Sequence, residues 1–178
     1  MDIENIVLDL NGTIATDGRI PFEVNPVRNS SGALNPAGII LKSNPAAEQR
    51  GIISNGVKEK IKPLTEKVKI YVLTADTQGT ASEEIQNMKA ELIKIIGEDS
   101  KRGKLEFLCS LKPEITVAIG NGNNDQLILK EAALGIAVLG EEGMSVLAMK
   151  NADIIVKNIS DALDLFLRPK RLIATLRE

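Results

Sequence analysis

Short apolar runs that do not alternate with polar residues recur along this chain, and they restrict it to one kind of sheet. Ile3 to Leu8, Lys69 to Leu73, Leu92 to Ile96, Thr116 to Ile119, Gly135 to Leu139 and Asp153 to Val156 read as strands. A strand with one wet face alternates. A run that does not is buried on both faces, as in a parallel sheet covered by helices on either side. Helical patterns lie between the runs. Thr80-Ala81-Ser82-Glu83 reads as a capping box opening one helix, and Lys104 to Leu111, Asp125 to Ala133 and Glu142 to Lys150 supply others. The expected fold is α/β, a mainly parallel sheet with helices on both faces, in one principal domain over residues 1–178. Right-handed crossovers bring the C-terminal ends of such strands to one edge, where ligands bind.

Two strand ends carry chemistry at that edge. Ile6-Val7-Leu8 runs into Asp9 and then Leu10-Asn11-Gly12-Thr13, a lone carboxylate before a tight turn, which is where a nucleophilic aspartate would sit. Val117-Ala118-Ile119-Gly120 opens into Asn121-Gly122-Asn123-Asn124-Asp125, a second loop of glycine and amides ending in a carboxylate. The two ends can converge on one metal and one phosphate. Taken singly, these residues have plainer readings. Asp9 caps a turn, Thr74 ends a strand, Asp125 starts a helix and Lys104 is a solvated surface lysine.

The absences exclude whole mechanisms. The chain has no histidine and one cysteine, Cys109, so imidazole-based nucleophilic systems and structural zinc sites cannot be assembled within it. Cys109, in Phe107-Leu108-Cys109-Ser110-Leu111, reads as a small buried hydrophobe. A net charge of −2 and 2% aromatic residues argue against a nucleic-acid partner. No apolar run has the length to cross a bilayer and no N-terminal signal pattern stands out, so a cytoplasmic protein without membrane attachment is expected.

Residues 25–56 interrupt the pattern. Half of them are Asn, Ser, Gly or Pro, and Asn-Pro recurs at positions 25, 35 and 44. The segment reads as an inserted loop, either a passenger resembling a translated repetitive element or a rudimentary cap. Beyond it, Val57, Ile61, Leu64 and Val68 share one helical face, with Pro63 expected to kink or shorten that helix.

Asp9-Leu10-Asn11-Gly12-Thr13 resembles the DxDGT or DKTGT first motif of the haloacid dehalogenase (HAD) superfamily. Three further motifs follow in the family's order: Tyr71-Val72-Leu73-Thr74-Ala75-Asp76, Lys104 near the start of a helix with Lys101 as its alternative, and Gly120 to Asp125 as a GDGxND form. The similarity is greatest to soluble P-type ATPase-like HAD proteins. It implies a Rossmannoid fold with a minimal cap or none, and hydrolysis of a small phosphorylated substrate through an aspartyl-phosphate on Asp9. It also implies Mg²⁺ held by Asp9, the Asn11 carbonyl, Asn121 and Asp125, and phosphoryl oxygens held by Gly12, Thr13, Thr74 and Lys104.

Two positions depart from the family pattern. Asn11 stands where phosphatases of the family carry an acid that protonates the leaving group, and an amide does not exchange that proton at ordinary pH. Asn121 replaces a metal-site aspartate and removes one negative charge. A slow phosphohydrolase, a degenerate phosphate-binding or interaction module, and a P-type ATPase-like phosphotransferase or ATP-hydrolysing domain all remain open. No protein partner can be read from the sequence.

Overall fold

The computed structural model describes residues 2–10, 12–16, 23–28, 34–42, 52–74, 85, 87–97 and 99–177. Asn11 and the capping box at 80–83 lie outside these described residues. In chain order the strands are β1 (Asn5–Asp9), β2 (Ala15–Thr16), β3 (Glu23–Arg28), β4 (Leu34–Lys42), β5 (Ile52–Ile53), β6 (Lys69–Thr74), β7 (Glu91–Lys94), β8 (Thr116–Gly120), β9 (Leu134–Val138) and β10 (Ile154–Val156). The helices are α1 (Asn55–Leu64), α2 (Ser100–Ser110), α3 (Gln126–Glu131), α4 (Val146–Asn151), α5 (Ile159–Leu167) and α6 (Pro169–Leu176).

The chain divides into two compact units, one of Met1–Thr16 with Gly51–Glu178 and one of Asp17–Arg50. In the second, β3 and β4 pair antiparallel, Glu23 opposite Lys42 and Arg28 opposite Leu34, with an irregularity between Pro26 and Arg28. Asn55 and Gly56, at the end of the 25–56 segment, open α1 in the first unit.

The first unit is built on a six-stranded sheet in the order β10-β9-β8-β1-β6-β7, every neighbouring pair parallel. The runs do not alternate in polarity because successive side chains enter two separate cores. Ile6 and Leu8 of β1, Ile70 and Val72 of β6 and Val117 and Ile119 of β8 face one core, with Val57, Ile61, Ala162 and Leu163 of α1 and α5. Val7, Tyr71, Leu73 and Ala118 face the other, with Leu108, Ile128, Leu129 and Ala148 of α2, α3 and α4. Helices thus cover both faces, as the sequence requires. A short antiparallel pair, Ala15 opposite Ile53, joins β2 to β5 where the chain leaves and re-enters this unit.

Local chemistry sets the helix limits. The Ser54 side chain caps α1 by accepting from the Val57 N–H, and Val57, Ile61 and Leu64 form its buried stripe. Pro63 has no N–H to donate and the helix ends one residue later, so Val68 lies in the following turn instead of on α1. On the solvent side, Lys60 of α1 reaches Asp164 of α5 at 3.0 Å. Asp99 caps α2 through the Arg102 N–H at 3.2 Å, and Lys104 and Leu108, four residues apart, form its buried face. Cys109 lies about 100° further around that helix and is exposed, which corrects the buried reading of its apolar neighbourhood. Among the described residues no helix is long and apolar enough to cross a membrane.

One glycine is fixed by packing. A methyl group built on Gly135 of β9 would stand 2.0 Å from the carbonyl oxygen of Leu129 in α3, a backbone atom that cannot rotate away. Gly135→Ala is expected to cost roughly 3 kcal/mol as α3 is pushed off the sheet. The check is the urea midpoint at unchanged m-value, and a midpoint equal to that of the parent would refute this packing.

Candidate active site

Strand register assembles the site before any side chain is considered. Asp9 is level with Leu73, so Thr74 extends one residue past it, and Leu8 is level with Ile119, which places Gly120 alongside Asp9. The ends of β1, β6 and β8 therefore share the C-terminal edge at the centre of the sheet. Beyond β1 the chain turns sharply, the Ile14 N–H donating to the Leu10 carbonyl at 3.2 Å, and Gly12 takes φ +72°, a conformation that disfavours a side chain.

Lys104 is the centre of the arrangement. It is 0% exposed, and its ammonium donates to Asp9 Oδ1 at 2.5 Å and to Asp125 Oδ1 at 2.6 Å. The solvated-lysine reading is thereby corrected: α2 turns residue 104 inward on the same face as Leu108, and two carboxylates meet its charge. Asp125 is also fully buried, and its other oxygen accepts the Asn121 N–H at 3.0 Å and the Gly122 N–H at 2.9 Å, closing the loop after β8 on itself. Asp125 is thus a brace for both the lysine and the loop.

The half-buried Asn121 uses both ends of its amide. Its oxygen accepts the Thr13 hydroxyl at 3.3 Å, and its nitrogen donates to the Gly143 carbonyl at 3.2 Å. Thr13 and Thr74 are both buried at the sheet edge. Of the residues singled out from sequence, Asp9, Gly12, Thr13, Thr74, Lys104, Asn121 and Asp125 all gather at this edge, Lys101 does not reach the carboxylates, and Asn11 is not among the described residues. The helix expected over Glu142 to Lys150 begins only at Val146, where the Ser145 side chain caps it by accepting the Ala148 N–H, and Gly140–Ser145 is instead a loop. Its Glu142 approaches Gly12 so closely that a methyl built there would be 2.6 Å from the carboxylate oxygen and from Asn121 Nδ2. Its one signal in the sequence is position, a Gly-Glu-Glu-Gly turn following another strand of the same parallel sheet.

Charge is unbalanced at the centre, with two buried carboxylates facing one ammonium. Burial, and next the Asp125 charge, push the Asp9 carboxyl from 3.8 up to about 7 against the opposing pull of Lys104. Burial alone would lower the Lys104 ammonium, but Asp9 and Asp125 outweigh it and hold its pKa above the ordinary lysine value. Among the described residues no three His, Cys, Asp or Glu side chains cluster. The available donors are instead carboxylate, amide and carbonyl oxygens around an excess negative charge, a set that fits a hard divalent cation and excludes a soft one.

The Asp9 shift has a consequence for stability. In chelating buffer the folded chain binds a proton at Asp9 with a pKa of about 7, the unfolded chain at 3.8. Between those values the folded state holds more protons, so this contribution is complete below about pH 4 and is lost as pH rises to about 7, by at most about 4 kcal/mol. Asp164, whose carboxyl is lowered chiefly by Lys60, adds stability that is lost only at more acidic pH. Urea midpoints in EDTA should therefore fall between pH 5 and pH 7.5, and a rise across that interval would contradict the assignment.

No protein-family model matches the chain. Among solved structures, it resembles 3-deoxy-D-manno-octulosonate 8-phosphate phosphatase from Moraxella catarrhalis, solved with magnesium ion, phosphate ion and KDO, at TM-score 0.65 and 15% identity, covering 99% of this chain and 94% of that one. The cobalt-bound form of deoxy-D-mannose-octulosonate 8-phosphate phosphatase from Haemophilus influenzae matches at TM-score 0.64 and 13% identity, covering 97% and 92%. A structure titled putative HAD superfamily (subfamily III A) hydrolase from Legionella pneumophila matches at 0.67 and 12%, covering 98% and 87%. Sheet order, strand-end motifs and these likenesses together define an α/β protein with the HAD superfamily fold.

Sequence comparison makes the placement narrower. The chain belongs to the same family as an uncharacterized protein of Methanocaldococcus jannaschii, with 51% identity over 82 residues, 44% of this chain and 88% of that protein. It is also 28% identical over 118 residues to a soluble P-type ATPase-like phosphatase of the same organism, spanning 65% of this chain and only 43% of that protein.

Proposed function

We propose that the chain is a Mg²⁺-dependent phosphohydrolase that acts in the cytoplasm on a small phosphate ester or anhydride through Asp9. The observation that carries this reading is the burial of Lys104 between Asp9 and Asp125 at the C-terminal edge of the sheet. The ammonium holds the Asp9 carboxylate in place and offers positive charge where a phosphoryl group would meet it. An Asp9 oxygen attacks phosphorus, the bond to the leaving oxygen breaks, and water then attacks the aspartyl-phosphate to release inorganic phosphate and restore Asp9. Gly12, Thr13, Thr74 and Lys104 would hold the phosphoryl oxygens, since positioning and charge stabilisation make up most of catalysis in phosphoryl transfer.

Asp9, Asn11, Asn121 and Asp125 would hold the cation, although both Asp125 oxygens already accept hydrogen bonds and the Asn121 oxygen accepts one from Thr13. When bound, Mg²⁺ supplies charge neutralisation between the anionic nucleophile and the anionic substrate. Asn11 has no proton to exchange, so the leaving group takes its proton from water and turnover is slow except with good leaving groups. The likeness to magnesium- and cobalt-bound phosphatases and to a P-type ATPase-like phosphatase supports the reaction class.

The test is phosphate release from activated esters, sugar phosphates and nucleotides with and without Mg²⁺, comparing the chain with Asp9→Asn. A preference confined to nucleotides would favour the ATP-hydrolysing reading. Inertness of both proteins, with phosphate still bound, would favour a binding module.

A further inference from the structure

Each backbone and side-chain polar group of Asn121 is engaged, and together they reach three parts of the site. Its N–H donates to Asp125 Oδ2 at 3.0 Å, and its carbonyl accepts the Ser145 N–H at 2.8 Å. Its amide nitrogen donates to the Gly143 carbonyl at 3.2 Å, and its amide oxygen accepts the Thr13 hydroxyl at 3.3 Å. One residue thus joins the turn after β1, the loop after β8 and the loop after β9. The loop after β9 also bears on the turn after β1. A methyl group built on Gly140 would stand 3.1 Å from the Gly12 carbonyl oxygen, and one built on Gly12 would stand 2.6 Å from Asn121 Nδ2.

An aspartate at this position could not make the same set of bonds. A carbonyl oxygen only accepts, so the group facing Gly143 has to be a donor. A carboxylate there would still accept from Thr13 but would set its charge against the Gly143 carbonyl and release the loop. The amide oxygen keeps a second lone pair for a cation, although a carboxylate would serve a hard cation better. We propose that Asn121 is a positioning residue for the reaction, fixing the Gly12–Thr13 turn that follows Asp9 by clamping it to the loop Gly140–Ser145; this rests on the phosphohydrolase reading. The asparagine that departs from the family's metal-site aspartate then has a function of its own, since it holds the geometry around the nucleophile where an aspartate would add charge and lose the clamp.

The experiment measures kcat and KM for p-nitrophenyl phosphate at saturating Mg²⁺ on the parent chain, Asn121→Asp and Asn121→Ala, together with calorimetric Mg²⁺ affinity and amide hydrogen exchange over residues 140–145. Asn121→Asp should bind Mg²⁺ at least as tightly as the parent, because it adds a carboxylate, and still lose about tenfold in kcat while the loop amides exchange about tenfold faster. Asn121→Ala carries no added charge and should lose as much or more in kcat, since it releases Thr13 as well as the loop. Tight Mg²⁺ binding with slow turnover is a combination that neither a simple cation ligand nor a residue needed only for stability produces. A kcat for Asn121→Asp equal to or above that of the parent would overturn the proposal. So would losses confined to KM, which report repulsion of the substrate, or loop exchange at the parental rate in both variants. Turnover that survives Asp9→Asn would instead refute the phosphohydrolase reading, and the exchange rates would still decide for or against the clamp.

Discussion

Asp9→Asn is expected to reduce Mg²⁺-dependent phosphate release by on the order of a thousandfold or more while leaving the fold intact or slightly firmer. The amide cannot attack phosphorus, so the loss belongs to the chemical step and should appear in kcat. Stability should move the other way. In the parent, Asp9 and Asp125 repel each other across Lys104, and burial lifts the Asp9 carboxyl to about 7. Removing that charge leaves Lys104 with Asp125 as a one-to-one pair at 2.6 Å. At pH 8 in EDTA, the variant's urea midpoint should equal or exceed that of the parent. Residual turnover within tenfold of the parent would remove Asp9 from its role, and a lower midpoint would mean that the negative charge is needed for folding.

Much of the sheet was legible because burial on both faces leaves a strong trace in sequence. All six apolar runs are strands, with ends shifted by one or two residues, since hydrogen bonding and not hydropathy decides where a strand stops. The strand-end residues were legible for the same reason, because register in a parallel sheet carries Asp9, Thr74 and Gly120 to one edge. Lys104 was less so. Nothing in its own neighbourhood distinguishes it from Lys101, and only the rotation of α2 turns one inward while the other stays partly exposed. The same rotation defeats hydropathy at Cys109, which follows Leu108 in an apolar run yet leaves the core. Glu142 was illegible because its approach to Gly12 depends on where two loops come to rest after strand ends 129 residues apart, Asp9 of β1 and Val138 of β9.

Lys104→Met should be the most destabilising substitution at the site. Methionine fills much of the same volume, so packing changes little, but Asp9 and Asp125 are left buried with no cation between them. Breaking a buried ion pair by removing one partner costs about 3–5 kcal/mol, and here one ammonium serves two carboxylates. For a chain of this length that corresponds to a fall of roughly 10 °C in Tm. The loss should depend on pH in a defined direction. Without Lys104 the Asp9 carboxyl loses the charge and hydrogen bond that pull its pKa down and binds its proton more tightly in the folded chain, so the deficit is small near pH 5, where that proton relieves the repulsion, and grows as pH rises. Adding Asp9→Asn should recover a large part of it, because one of the two unpaired charges is then gone. Lys101→Met, on the same helix but away from the carboxylates, should stay within about 0.5 kcal/mol of the parent. A Lys104→Met deficit below 1 kcal/mol that is flat with pH and indifferent to Asp9→Asn would mean that the ammonium does not sit between the two carboxylates in solution, and the proposed nucleophile would lose the group that holds it in place.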